Sequence, residues 1–89
     1  MVIEKNKFKI DIFDDQYSII SDEKESDILK ASGLVDALMR EIADTSTLGD
    51  RKKIAVLSAL RIASRLVSLE NSLQKLTDSI KKKGLSSSI

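Results

Sequence analysis

Hydrophobic side chains along this chain change their spacing from segment to segment, and each change marks a new element. Phe8, Ile10 and Ile12 alternate with Lys9 and Asp11, the period-two pattern of a half-buried strand. Asp14-Asp15 comes next as the expected turn, because short acidic side chains hydrogen-bond locally and tolerate unusual backbone angles. Tyr17-Ser18-Ile19-Ile20 then reads as the returning strand of a hairpin, with Asp-Asp a weaker turn signal than Asn-Gly. A lone hairpin is unstable in water, so its apolar face needs a helix or another sheet. Ahead of it, residues 1–7 mix Val2 and Ile3 with charges and are expected to fray.

Helical spacing begins at Ile28 and continues through Ala31, Val35, Leu38 and Ile42, with Leu29, Met39 and Ala43 widening the stripe. The helix is expected from about Glu23 to Asp44. Ser21 is its candidate cap, Asp22 and Glu23 suit the positive end of its dipole, and Asp22 with Glu25 supplies a capping box. Gly33 sits inside it at a cost of ~1 kcal/mol relative to alanine, either to permit close packing or simply tolerated. Thr45-Ser46-Thr47-Leu48-Gly49 forms the connection, and Asp50 is a natural N-cap for a second helix.

From Asp50 to Lys83 the chain runs without proline or glycine, a single helix of roughly 50 Å at 1.5 Å per residue. The preceding residues fold into a head only ~25 Å across by compact-domain scaling, so much of this helix extends beyond it. Ile54-Ala55-Val56-Leu57-Ser58-Ala59-Leu60 is apolar around most of its circumference and calls for burial on several sides, by hairpin, first helix and a second subunit. Farther on, Ile62, Leu66, Leu69, Leu73, Leu76 and Ile80 are spaced alternately four and three, the seam of a coiled coil. No other segment is left to cover that seam, which assigns it to self-association. Parallel pairing sets Arg65 against Glu70 of a second copy. The expected division is a head over 1–65, a stalk over 66–83 and, after Gly84 ends the helix, a flexible tail over 84–89.

Composition narrows the chemistry. Cysteine and histidine are absent, which removes disulfides, the usual zinc sites, Cys/His nucleophilic pairs and imidazole bases. Acidic residues form no D-x-D-x-D-G loop, and serines and lysines lack a partner base at a recognisable spacing. No catalysis, metal, cofactor or small-molecule substrate is expected. The net charge of +1 gives no global field for nucleic acid or an anionic membrane. No apolar run approaches the ~18 residues of a membrane span and no signal peptide is visible, so the cytoplasm is the default location. Two basic runs stand out. Lys81-Lys82-Lys83 complements a helix C-terminus, whereas Arg51-Lys52-Lys53 sits at a helix N-terminus that disfavours it. The latter is the more suggestive contact cluster, set against the plainer reading of a solvated face.

Three stretches, in order, resemble the ZapA family of bacterial cell-division proteins. Ile10-Asp11-Ile12-Phe13-Asp14-Asp15-Gln16-Tyr17-Ser18-Ile19 is similar to its I-x-I-F-G-x-x-Y-x-I opening. Val35-Asp36-Ala37-Leu38-Met39-Arg40-Glu41-Ile42 resembles its V-D-x-x-M-R-E-I segment, and Lys53–Leu60 with Ile62-Ala63 its K-I-A-V-L-x-A-L-N-I-A segment. The resemblance implies an α+β fold: an N-terminal β-hairpin, one helix, then a long C-terminal helix forming a coiled-coil stalk. It also implies a non-enzymatic protein whose heads pair into a homodimer, whose stalks can join dimers into an antiparallel homotetramer, and which binds and bundles polymers of the tubulin-like protein FtsZ at midcell.

Departures from that pattern locate the candidate contact residues. Asp14 replaces the family's turn glycine, Asp15 stands where a basic residue is frequent and Lys52 where an acidic one can occur. The hairpin turn with Asp14 and Asp15 and the start of the second helix with Arg51, Lys52 and Lys53 form the candidate partner-binding set. Arg61 replaces a preferred Asn, and Arg65 stands where an acidic residue is common. The stalk after Leu66 is roughly two heptads, short of the three to four of a secure coiled coil, so a dimer is expected before a tetramer. Two other readings compete: a coiled-coil adaptor with some other protein partner, and a ribbon-helix-helix-like DNA-binding module. Against the second stand two strands instead of one, a longer second helix and a strand face whose only basic residues are Lys5, Lys7 and Lys9.

Overall fold

The computed structural model describes residues 5–45 and 49–87. Its elements run β1 (Asn6–Ile12), β2 (Asp15–Ser21), α1 (Glu25–Thr45) and α2 (Arg51–Ser87). The chain divides into two compact units, one ending at Ala59 and the other beginning at Leu60, so the boundary falls inside α2.

In the first unit β1 and β2 pair antiparallel, with Phe8 opposite Ile19 and Ile10 opposite Tyr17. The alternation read from sequence therefore sorts Phe8, Ile10, Tyr17 and Ile19 onto one face, which β1 presents to α1. Ile10 joins Ile28, Leu38, Met39 and Ile42 of α1 and Ile54 of α2 as the buried aliphatic residues. Two serines are buried as well. Ser32 donates its hydroxyl to the Leu29 carbonyl at 2.9 Å, and Ser58 donates to that of Ile54 at 2.8 Å. Serine serves there as a small core residue whose polar atom is satisfied by its own helix.

Several boundaries differ from expectation, each for a physical reason. β1 starts at Asn6, so Asn6 and Lys7 are paired with Ser21 and Ile20 instead of fraying; residues 1–4 lie outside the described residues. Since β2 runs through Ser21, that residue cannot cap α1. Its hydroxyl accepts the Glu23 amide at 3.0 Å, and the first helical carbonyl is that of Lys24, which accepts from Asp27 and Ile28. Ala31 and Leu29 face outward. A Cβ at Gly33 would meet nothing within 4 Å, so within this chain the glycine is tolerated and not required for close packing. Asp50 does cap α2: its carboxylate accepts the Lys52 amide at 2.9 Å, and its carbonyl accepts from Ile54. Of the connection before it, residues 46–48 lie outside the described residues.

In the second unit the helix passes through Gly84 and continues to Ser87, beyond the expected stop. A glycine ends a helix by turning left-handed, and no glycine among the described residues has a positive φ.

Candidate functional site

The hairpin turn is built one residue earlier than expected. Its central residues are Phe13 and Asp14, with φ of 50° and 70°, while Asp15 already belongs to β2 and pairs with Ile12. Positive φ at both central residues is the pattern of a type I′ turn, which matches the twist of a two-stranded hairpin but favours Asn and Gly. Phenylalanine has no local reason to adopt it.

The reason lies in the two helices. Asp36, on α1, accepts the Phe13 amide on Oδ1 at 2.7 Å and the Arg40 Nε–H on Oδ2 at 3.0 Å. Arg40, one helical turn along, donates from Nη2 to Asp14 Oδ1 at 2.9 Å. Arg51, at the start of α2, donates to the Phe13 carbonyl and, at 2.9 Å, to Asp15 Oδ2. The Phe13 ring meets both guanidiniums, its centroid 4.6 Å from that of Arg51 and 5.8 Å from that of Arg40. Amide, carbonyl and ring of this one residue are thus each held from α1 or α2.

Electrostatics follow the same contacts. The hydrogen bond from Arg40, reinforced by the Phe13 amide, holds the Asp36 carboxyl below the usual aspartate range, against a smaller opposing effect of desolvation. Hydrogen bonds to Asp36 and then Asp14 raise Arg40 above its ordinary value, so it stays cationic.

Of the candidate contact residues, the fold brings Asp14, Asp15 and Arg51 together at the hairpin tip. Lys52 and Lys53 are placed elsewhere: with Asp50, Val56 and Leu57 they line an open groove of about 420 Å³. Phe13, Asp36 and Arg40 belong to the tip but were not among the candidates. Asp36 and Arg40 lie four apart on a helix, a spacing that signals an ion pair, yet nothing local ties that pair to a turn 23 residues away.

The other candidate set lies on α2. Leu66, Leu69, Leu73, Leu76 and Ile80 are between 54% and 62% exposed in the single chain, and Ile62 is half-buried. Leu60 and Val67, seven residues apart, are also exposed. At 100° per residue they fall on a different side of the helix from the seam, roughly a third of a turn away. Val56 and Leu57, in the first unit, are exposed too, so only Ile54 and Ser58 of the apolar segment are buried within the chain. Among the described residues, no group of three or more acidic side chains is placed to hold a metal ion, and no helix is long and apolar enough to cross a membrane.

This chain matches the family model described as cell division protein ZapA over residues 8–88. It is 34% identical over 80 residues to the cell division protein ZapA of Bacillus licheniformis, covering 90% of this chain and 94% of that protein. It is 32% identical over 82 residues to that of Bacillus thuringiensis, covering 92% of each. Among solved structures it resembles a ZapA mutant dimer from Geobacillus stearothermophilus, with a TM-score of 0.74, 29% identity and coverage of 88% of this chain and 91% of that one. An unknown conserved bacterial protein from Pseudomonas aeruginosa PAO1 superposes with a TM-score of 0.69 at 25% identity, over 88% and 87% of the two chains.

Proposed function

The chain belongs to the ZapA family of cell-division proteins, and from that premise we propose that it is a non-enzymatic homo-oligomer that binds FtsZ polymers and gathers them into bundles at the division ring. The observation that carries this reading is the exposed row Leu66, Leu69, Leu73, Leu76 and Ile80. An aliphatic stripe at heptad spacing is stabilised by water exclusion only when a second helix covers it. With a ZapA mutant from Geobacillus stearothermophilus a dimer, the occupant that fits best is a second copy of this chain. Arg65 then meets the partner's Glu70 in a parallel pair, an exposed contact worth ~0.2–1 kcal/mol that selects orientation more than it stabilises.

Self-association supplies the function through geometry. One head can only decorate a filament, whereas two or more on one particle bring a second filament to the first at high effective concentration. The head residues assigned to FtsZ are Asp14, Asp15 and Arg51 at the hairpin tip, together with Lys52 and Lys53 at the groove along the start of α2. The place of action is the cytoplasmic division site.

Co-sedimentation with FtsZ of the same organism, in GTP and in GDP, tests this. Pelleting only with GTP-assembled FtsZ, with thicker bundles by electron microscopy, is the expected result. A folded oligomer by light scattering that fails to pellet in GTP overturns the FtsZ assignment and favours an adaptor for another protein.

A further inference from the structure

The hairpin tip has a conformation its own residues do not favour, held by a side chain far away in sequence. A left-handed Phe13 followed by a left-handed Asp14 costs conformational energy that no glycine relieves. A two-residue turn also leaves the amide of its first central residue outside the strand ladder, and here that amide ends on Asp36 Oδ1 at 2.7 Å. The second oxygen of Asp36 takes Arg40, and Arg40 in turn takes Asp14. The path Phe13 amide, Asp36, Arg40, Asp14 therefore closes a ring that includes both left-handed residues. Asp36 is also more sheltered than its partners, its side chain 29% exposed against 48% for Arg40 and 74% for Asp14. With both oxygens engaged inside the chain, it contributes by holding the tip and not by touching a partner.

We propose that Asp36 is the positioning residue of the hairpin tip: it keeps Phe13 and Asp14 left-handed and so fixes where Asp14 and Asp15 stand for a filament partner. The part concerning the partner rests on the FtsZ reading; the part concerning the turn does not. Arg51 holds the same residue from α2, through its carbonyl and ring. Those contacts reach the carbonyl and the ring, whereas the Phe13 amide is held by Asp36 and the Asp14 carboxylate by Arg40.

The test uses the full chain with Asp36→Ala and Asp36→Asn, read by backbone chemical shifts of Phe13 and Asp14 and by co-sedimentation with GTP-assembled FtsZ. In D36A the shifts leave the left-handed range while the methyl signals of Ile10, Ile28, Leu38 and Ile42 stay in place. D36N, which keeps one acceptor oxygen but loses the charge facing Arg40, falls between D36A and wild type. Apparent FtsZ affinity drops on the order of tenfold in D36A, the scale of one part-buried hydrogen bond left unmade. Left-handed shifts that persist in a folded D36A chain overturn the proposal. So does displacement of the core methyls together with the tip, which makes Asp36 a general support of the head. Shifts that move with no loss of pelleting overturn its bearing on the partner. A wild-type chain that does not pellet overturns the functional reading instead, and the shifts still decide the role of Asp36 in the turn.

Discussion

The two units of this chain solve opposite problems. Up to Ala59, aliphatic side chains from a strand and two helices find one another, and the polar groups of the hairpin tip are satisfied by residues of α1 and α2. From Leu60 onward there is one helix, whose leucines from Leu60 to Leu76 stand more than half exposed. A helix alone in water gains little beyond its marginal propagation energy, so its persistence depends on covering its apolar face. The first unit buries an aliphatic core within the single chain, the second leaves its seam exposed, and the assembly role proposed for the seam rests on that difference.

That contrast breaks or holds most visibly with one truncation in each unit. Leu38 is 4% exposed, so Leu38→Ala is expected to destabilise the head by ~2–5 kcal/mol. Leu73→Ala is expected to cost a similar ~2–5 kcal/mol only where a second copy buries it. Thermal melts over a hundredfold range of protein concentration separate the two. The L38A deficit persists at every concentration, whereas L73A makes the transition more dependent on concentration and shifts sedimentation equilibrium toward monomer. A chain whose wild-type melt ignores concentration, with L73A unchanged from it, refutes the assembly role of the seam.

The elements of the head were largely legible in the sequence, because they rest on periodicity. Alternation at Phe8, Ile10 and Ile12 and helical spacing at Ile28, Leu38 and Ile42 are local patterns that burial then respects, whereas around the four-three stripe beyond Ile62 the described residues of the helix are exposed on every side. The Asp50 cap was legible for the same reason, since its acceptor and donor are two residues apart. The tip was not. Phe13 is left-handed because of Asp36, Arg40 and Arg51, the last of them 38 residues away, and single-sequence turn chemistry favoured Asp14-Asp15 instead. Ser32 and Ser58 were missed because a serine on an apolar face shows no hydrophobic signal. Their positions four residues after Ile28 and Ile54 were the available clue.

Within the head, smaller effects separate one contact from another. Arg51→Ala removes a ring contact, a carbonyl contact and a half-exposed ion pair. A loss of roughly 1 kcal/mol in urea denaturation is expected, since exposed pairs and cation–π contacts each contribute a fraction of that. Acid acts through Asp36. Its carboxyl titrates lower in the folded chain than in the unfolded one, so the stability it confers is fully present above the ordinary aspartate value of about 4 and is lost as pH falls through its depressed folded value. Wild type is therefore expected to be more stable than Asp36→Asn at pH 7, with the gap closing below about pH 4. A gap that widens in acid contradicts the ion pair.

The smallest expected change is the most discriminating for the tip. Asp14 stands at φ 70° with its carboxylate on Arg40, three-quarters exposed. Asp14→Gly removes the steric cost of a left-handed residue, but it also frees the unfolded chain and deletes the contact to Arg40. The first effect opposes the other two, and the net is expected within about 0.5 kcal/mol of wild type in urea midpoint. Asp14→Ala keeps the steric cost and loses the contact, so it should fall below both by roughly 1 kcal/mol. If glycine instead stabilises by well over 1 kcal/mol, the tip is held against its preference and Arg40 returns little of the strain. If alanine matches aspartate, the exposed contact between Asp14 and Arg40 adds nothing measurable to the head, and the turn is held by the grip on Phe13 alone.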